Sequence, residues 1–136
     1  MAVVIDASIA LSWCFPDERT DFTEAVFNAV GSSTLVARVP TIWAYEVRNA
    51  VLMGLRRNRI TKPESKRFLY ALGRMGVVIA EPSDYDSVFT LADQHGLTFY
   101  DAAYLNLALT SGLPIASLDK RVLRAAAGAG VPLFRP

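Results

Sequence analysis

The chain has 136 residues, the size of a single domain, and 52% of them are apolar against 20% charged. That balance excludes intrinsic disorder, which needs low hydrophobicity and high net charge. A formal net charge of +1 leaves no global field to draw in nucleic acid or an anionic membrane, so any such binding needs a local patch.

Val3-Val4-Ile5 is a β-branched run that predicts a buried strand ending at Asp6. The aspartate interrupts the apolar run and no basic region precedes it, so this segment does not read as a signal peptide. No charge-free apolar stretch reaches the roughly 20 residues that span a bilayer, and a cytoplasmic, non-membrane protein is expected. Phe22, Ala25, Val26, Ala29 and Val30 recur at helical spacing, with Asp21 and Glu24 placed as an acidic capping box. A second strand is expected from Thr34 to Val39, stopped by Pro40. Pro40-Thr41 then opens a helix whose inward stripe carries Ile42, Tyr45, Glu46, Asn49, Ala50 and Met53. Thr61-Lys62-Pro63-Glu64 is a helix start with a capping pair and an early proline. Phe68, Leu69, Leu72 and Met75 form that helix's apolar face, and Gly76 is its stop.

Val77 to Ala80 is a third expected strand, stopped by Pro82. Ser83 to Asp86 opens a helix with Val88, Leu91, Ala92 and His95 in register and Gly96 as the stop. A further helix runs from Asp101 to Ser111, closed by Gly112 and Pro114. Pro114 to Leu118 is a fourth strand, ending near Asp119. The last helix runs from Asp119 to Ala127, closed by Gly128, and Val131 to Phe134 is a fifth strand. The strand runs are apolar rather than alternating, as in a parallel sheet covered on both faces. Strands alternating with helices through right-handed crossovers predict one three-layer α/β domain over residues 1–136, with a central, mostly parallel sheet.

The chemistry available is narrow. Cys14 is the single cysteine, so neither an intramolecular disulfide nor a Cys-based zinc site can form. His95 is the single histidine, and any Ser–His triad or His-ligated metal would pass through it. Carboxylates remain, and four have unusual positions. Asp6 and Asp119 follow strands, where ligands of open α/β sheets bind. Glu46 shares an apolar helix stripe, and Asp101 begins an apolar helix. Each has an ordinary reading too. Asp6 suits a turn or cap, Glu46 an ion pair with Arg48 or Arg56, and Asp101 and Asp119 helix N-caps. Taken together, clustered carboxylates repel unless cations bind them, and hard oxygen ligands fit Mg²⁺ or Mn²⁺.

Asp6-Ala7-Ser8, Glu46 with Val47 and Asn49, Tyr100-Asp101-Ala102-Ala103-Tyr104 and Ser117-Leu118-Asp119 resemble the signature of PIN-domain ribonucleases. The short single-domain form resembles VapC, the toxin of VapBC toxin–antitoxin modules, from Val3 to Phe134. The resemblance implies a three-layer α/β/α PIN-like fold and a metal-dependent endoribonuclease whose products carry 3′-hydroxyl and 5′-phosphate ends. It implies that Asp6, Glu46, Asp101 and Asp119 are catalytic and hold one or two Mg²⁺ or Mn²⁺ ions. Ser8, Asn49 and Ser117 would support them from behind. The implied partners are an RNA substrate, a VapB-like antitoxin covering the site and a second copy in a homodimer, with operator DNA bound only through the antitoxin.

Two rivals stand beside this reading. One is a stand-alone nuclease of the same fold in RNA maturation. The other is a phospho-acceptor signalling domain, which wants paired N-terminal acids and a lysine at a late strand end. Here Asp6 has no acidic neighbour and the late strand ends in Asp119. Arg56, Arg57, Arg59, Lys62, Lys66 and Arg67 form a basic cluster that reads as an RNA rim or as a solvated turn. Lys120, Arg121 and Arg124, beside Asp119, are better placed for substrate. Trp13 and Phe15 could stack on bases, grip an antitoxin helix or pack in the core, whereas Trp43 and Tyr45 are expected in the core or a dimer contact. Cys14 is expected to be inert and His95 to cap a helix end.

Overall fold

Val3, Val4 and Ile5 are fully buried, which is why β1 (Ala2–Ile5) shows no polar alternation. Each such side chain contributes about 1.5–3 kcal/mol by leaving water. A computed structural model describes residues 1–82 and 84–136. After β1 come α1 (Ala7–Cys14), a 3₁₀ turn (Pro16–Glu18), α2 (Asp21–Gly31) and β2 (Val36–Val39). Next are α3 (Ile42–Arg56), α4 (Lys62–Gly73), β3 (Val78–Ile79), α5 (Tyr85–His95), α6 (Phe99–Ser111), β4 (Ile115–Ala116) and α7 (Lys120–Ala129).

The sheet order is β3-β2-β1-β4 and every pairing is parallel, with Val3 opposite Ala37, Val4 opposite Ile115 and Arg38 opposite Val78. From β1 the chain steps outward to β2 and then β3, and returns across the sheet to β4. The order therefore reverses between β1 and β4, the switch point where such sheets bind ligands beyond their carboxyl ends. Contacts sort the helices into two layers, α1 to α4 in one and α5 to α7 in the other. The expected three-layer α/β/α architecture is the one observed.

The first helix, α1, has no counterpart in the predicted elements. Its residues are small or apolar around the whole circumference, and Ile9, Ala10, Ser12 and Trp13 are buried. Its partly exposed side carries Ala7, Ser8, Leu11 and Cys14, so no charged face marks the helical period. The expected fifth strand, Val131 to Phe134, reduces to one parallel bridge between Leu133 and Ile115. Pro132 offers a carbonyl to the Ile115 N–H but has no N–H of its own, so the ladder stops there. Strand β1 begins one residue earlier than expected, whereas β2, β3 and β4 are shorter, β3 and β4 most of all.

Helix ends also differ. Thr20 and Thr23 form the capping box of α2 in place of Asp21 and Glu24. The Thr61–Glu64 box of α4 is present as expected, but the helix stops at Gly73, ahead of Gly76. Ser83 lies outside the described residues, and Asp84 caps α5. Helix α6 starts two residues before Asp101, capped by Thr98. Gly128 lies inside α7, which ends at Gly130 with φ +77°.

The inward face of α3 is Trp43, Val47, Val51 and Gly54, one step round from the expected stripe. The expected stripe carries Glu46 and Asn49, whereas Trp43, Val47, Val51 and Gly54 bring no charged or amide side chain, and this stripe takes the core. Tyr45, expected to be packed, is 69% exposed, and Asn49 is exposed as well. Trp13, Phe15 and Trp43 are core residues.

Candidate active site

Asp6 follows the last residue of β1 and is only 6% exposed. A carboxylate buried at a strand end needs hydrogen bonds, and two hydroxyls supply them. Ser8, in the first turn of α1, donates to Oδ1 at 2.5 Å, and Ser117, just past β4, donates to Oδ2. Both hydroxyls are themselves held. The Leu118 N–H donates to Ser8 Oγ and the Asp119 N–H to Ser117 Oγ, each at 2.9 Å. The carboxylate thus pins the ends of β1 and β4 across the switch point. Burial pushes its pKa up to about 6. The hydroxyls of Ser117 and Ser8 and the Ile9 and Ser8 amides oppose that rise, although Asp6 closes no side-chain cap on α1. No basic side chain contributes to its environment among these causes.

Asp119, two residues past Ser117, caps α7 by accepting the Arg121 N–H at 2.8 Å. Its carboxylate also lies 3.8 Å from Arg121 Nε. The cap reading is realised, and the Asp119 backbone is joined to Asp6 through the Ser117 hydroxyl.

Glu46 and Asp101 arrive from the two helical layers. Helix α3 follows β2 and α6 leads into β4, so both begin at the carboxyl end of the parallel sheet. Glu46 lies one turn into α3, half-buried, and accepts a hydrogen bond of 2.6 Å from the Tyr104 hydroxyl of α6. Burial raises its pKa, the tyrosine hydroxyl lowers it, and the charge of Asp101 adds to the rise. It forms no ion pair with Arg48 or Arg56; Arg48 donates instead to the Ala44 carbonyl. Asp101 is in the first turn of α6, where its own N–H is held by the Thr98 hydroxyl at 3.0 Å. The Asp101 carboxylate therefore does not cap that helix. Asn49 makes no hydrogen bond among the described residues.

Tyr104 was legible only as an apolar position in a motif. Its hydroxyl is buried, its pKa is raised chiefly by burial, and it stays a proton donor to Glu46. Nothing in the sequence joins it to a residue 58 positions away. Tyr104→Phe should leave the fold intact and weaken divalent-ion affinity and activity by about 10–100-fold, the usual cost of losing an outer-shell partner. Ion titration followed by fluorescence checks it; an unchanged affinity would deny the tyrosine this role.

The donor chemistry fits a hard divalent cation, because all four residues offer carboxylate oxygens. They are not collapsed into a cage. Among the described residues, no three of His, Cys, Asp and Glu stand close enough to share one ion. Burial, rather than mutual repulsion, is the main cause of the raised Asp6 and Glu46 values.

Cys14 is half-buried and its thiol is pushed up to about 11, chiefly by burial, which keeps it protonated and unreactive. His95 is the last residue of α5, and its ring lies against α7 at Gly128. Arg56 and Arg57 lie at the far end of α3 from Glu46, about 15 Å along the axis. Arg59 is occupied by Asp17 and Glu18, at 3.0 and 2.9 Å, and by the face of Phe15. The Arg56–Arg67 cluster is therefore removed from the acidic residues. No described helix is long and apolar enough to cross a membrane.

Comparison with known proteins agrees with this geometry. The chain is 32% identical over 126 residues to Ribonuclease VapC3 of Pyrobaculum aerophilum, covering 90% of this chain and 92% of that one. It is 34% identical over 85 residues to Exonuclease VapC9 of the same organism, covering 62% and 63%. Its fold matches VapBC2 of Rickettsia felis, solved bound to a DNA fragment from its promoter, with a TM-score of 0.67 at 13% identity over 98% of both chains. The PIN domain family model matches residues 3–128. The family model and the VapC3 relative, each spanning most of the chain, show that the chain belongs to the PIN-domain family and is of the VapC type.

Proposed function

We propose that this protein is a metal-dependent endoribonuclease, the toxic half of a toxin–antitoxin pair, acting in the cytoplasm. The observation that carries the reading is Asp6: a buried carboxylate at the switch point, oriented through both oxygens by hydroxyls and paired with no cation. Such a group is costly to maintain and suits one that receives a cation during function.

Asp6, Glu46, Asp101 and Asp119 would hold Mg²⁺ or Mn²⁺, one or two ions. When bound, the metal supplies an activated water and charge stabilisation for in-line displacement at phosphorus. The chain's own part is positioning. Ser8 and Ser117 fix the Asp6 carboxylate, Tyr104 fixes Glu46, and Thr98 and the first turn of α6 fix the backbone at Asp101. With few donors to move, little reorganisation accompanies the reaction. The products would carry 3′-hydroxyl and 5′-phosphate ends.

The partner would be a VapB-like antitoxin presenting an arginine or lysine to these carboxylates, and operator DNA would be bound only through it. A homodimer is part of the same reading. VapBC2, crystallised with promoter DNA, supports it by analogy of fold. A stand-alone nuclease in RNA maturation differs only in lacking the antitoxin. The test is a circular single-stranded RNA, which has no ends. Cutting in Mg²⁺ or Mn²⁺, abolished by EDTA and restored by added metal, is expected. A linear RNA degraded while the circle survives would make the enzyme an exonuclease, and cutting undiminished in EDTA would remove the metal.

A further inference from the structure

A cleft of about 350 Å³ lies between the end of α5 and the first turns of α7, lined by Gln94, His95, Gly96, Arg121, Arg124 and Ala125. The lining holds two guanidinium groups, an imidazole and an amide, and no carboxylate. We propose that this cleft binds a backbone phosphate of the RNA strand next to the bond that is cut. The proposal rests on the nuclease reading above and extends it from the reacting bond to the strand.

Position is the first reason. Arg121 and Arg124 follow Asp119 by two and five residues, about 3 Å and 7.5 Å along the α7 axis. A strand whose phosphate lies at the acidic residues brings its neighbour over these arginines. The second reason is that their charges are uncommitted. Arg124 has no carboxylate or hydrogen-bond partner among the described residues. The side chain of Arg121 has only the long 3.8 Å contact to Asp119. Arg59 is engaged by Asp17 and Glu18, Arg19 by the Trp13 carbonyl, Arg48 by the Ala44 carbonyl and Arg74 by the Tyr70 hydroxyl; Arg38, Arg56, Arg57, Arg67 and Arg135 are as uncommitted as Arg124 among the described residues, but none of them lines this cleft.

The third reason is energetic. Lys120, Arg121 and Arg124 occupy the first turns of α7, with no acidic residue in the first turn and no basic one in the last. Positive charges at that end oppose the helix dipole and lower stability. A phosphate over the cleft offsets this cost, and guanidinium forks match its oxygens in a way an ammonium does not. The net charge of +1 makes this local patch the means of attracting a polyanion.

The experiment is fluorescence anisotropy of a short labelled single-stranded RNA in EDTA, across a series of salt concentrations. The proteins are wild type, Arg124→Ala, the double variant Arg121→Ala/Arg124→Ala, and Arg124→Lys. Arg56→Ala removes the same charge at the far end of α3. Each lost phosphate contact should reduce the slope of log K against log salt by about 0.7. Arg124→Ala should weaken binding about tenfold, and the double variant more. Arg124→Lys should recover the slope but only part of the affinity. Arg56→Ala should match wild type in both. In the cleavage assay the loss should fall on KM more than on kcat.

Variants that melt with wild type yet keep its slope and affinity, while wild type binds and cuts RNA, overturn this inference alone. A wild type that neither binds nor cuts any RNA overturns the nuclease reading with it. Inorganic phosphate competing as well as unlabelled RNA, mole for mole, would make this a free-phosphate site and overturn the strand assignment. Normal RNA binding by the double variant with lost binding of an acidic peptide would transfer the cleft to a protein partner.

Discussion

Asp6→Asn is expected to stop RNA cleavage and to raise the melting temperature of the metal-free protein. The two effects share one cause. Asp6 is 6% exposed and its pKa is raised to about 6, so near pH 7.5 the folded protein carries a buried negative charge held by hydroxyls and backbone amides, with no ion-pair partner among the described residues. Asparagine keeps the shape, and the Ser8 and Ser117 hydroxyls can turn to meet an amide, yet the charge that attracts a divalent cation is gone. Losing an outer-shell residue of a metal site costs 10–100-fold, and losing a ligand should exceed about 100-fold in kcat/KM. The stability gain follows from the same shift. A difference of about 2 units between the folded and unfolded pKa corresponds to about 3 kcal/mol of disfavoured ionisation. Asparagine recovers part of that, a rise of several degrees for a domain of this size. Calorimetry in EDTA alongside a cleavage assay reads both. A folded Asp6→Asn protein that cuts RNA at the wild-type rate removes Asp6 from the chemistry, and a lower melting temperature removes the argument from burial.

The metal-free wild type should lose stability as the pH rises from 5 to 7.5. The folded pKa of Asp6, about 6, lies above its unfolded value of 3.8, so the folded state binds the proton more tightly. Stability from this group is fully present below the unfolded value and is lost as pH rises through the folded one. Of a total of about 3 kcal/mol, roughly 1.5 kcal/mol should disappear between pH 5 and pH 7.5. Glu46, also raised, acts in the same direction. Glu64 and Asp84, whose values are lowered by hydrogen bonds to Thr61 and Ser87, act in the opposite direction, but only in more acidic solution. Urea titrations at pH 5, 6, 7 and 8 in EDTA would trace the curve, and Asp6→Asn should flatten most of it. Millimolar Mg²⁺ should restore stability chiefly at the alkaline end, where the carboxylate is ionised and can bind it. A wild-type profile that is level from pH 5 to pH 8 would contradict the buried-carboxylate account.

Local rules reached several features unaided. Val3-Val4-Ile5 read as a strand because a strand buried on both faces cannot show alternation. Thr61 and Glu64 read as a capping box because that device is closed within four residues. Asp6 and Asp119 stood out because each follows an apolar run where a parallel sheet opens. Helix α1 is not legible for the converse reason: its partly exposed side carries Ala7, Ser8, Leu11 and Cys14, so no charged face marks its period. The stripe on α3 is ambiguous in the sequence because apolar residues fall on two adjacent stripes, and burial of Trp43 decides which of them meets the core.

The sequence by itself determined the class of fold and the kind of chemistry: alternating strands and helices, one cysteine, one histidine and carboxylates at strand ends. Those features are local, set by hydrophobic period, composition and turn chemistry. Only the tertiary structure decided how the carboxylates are held. Ser117 reaches Asp6 across 111 residues, and Tyr104 reaches Glu46 across 58. Such bonds exist because the strand order reverses between β1 and β4 and because two helical layers begin at the same end of the sheet. The charge state of Asp6 was decided there too, since burial is a property of everything packed around a residue and not of its neighbours in the chain.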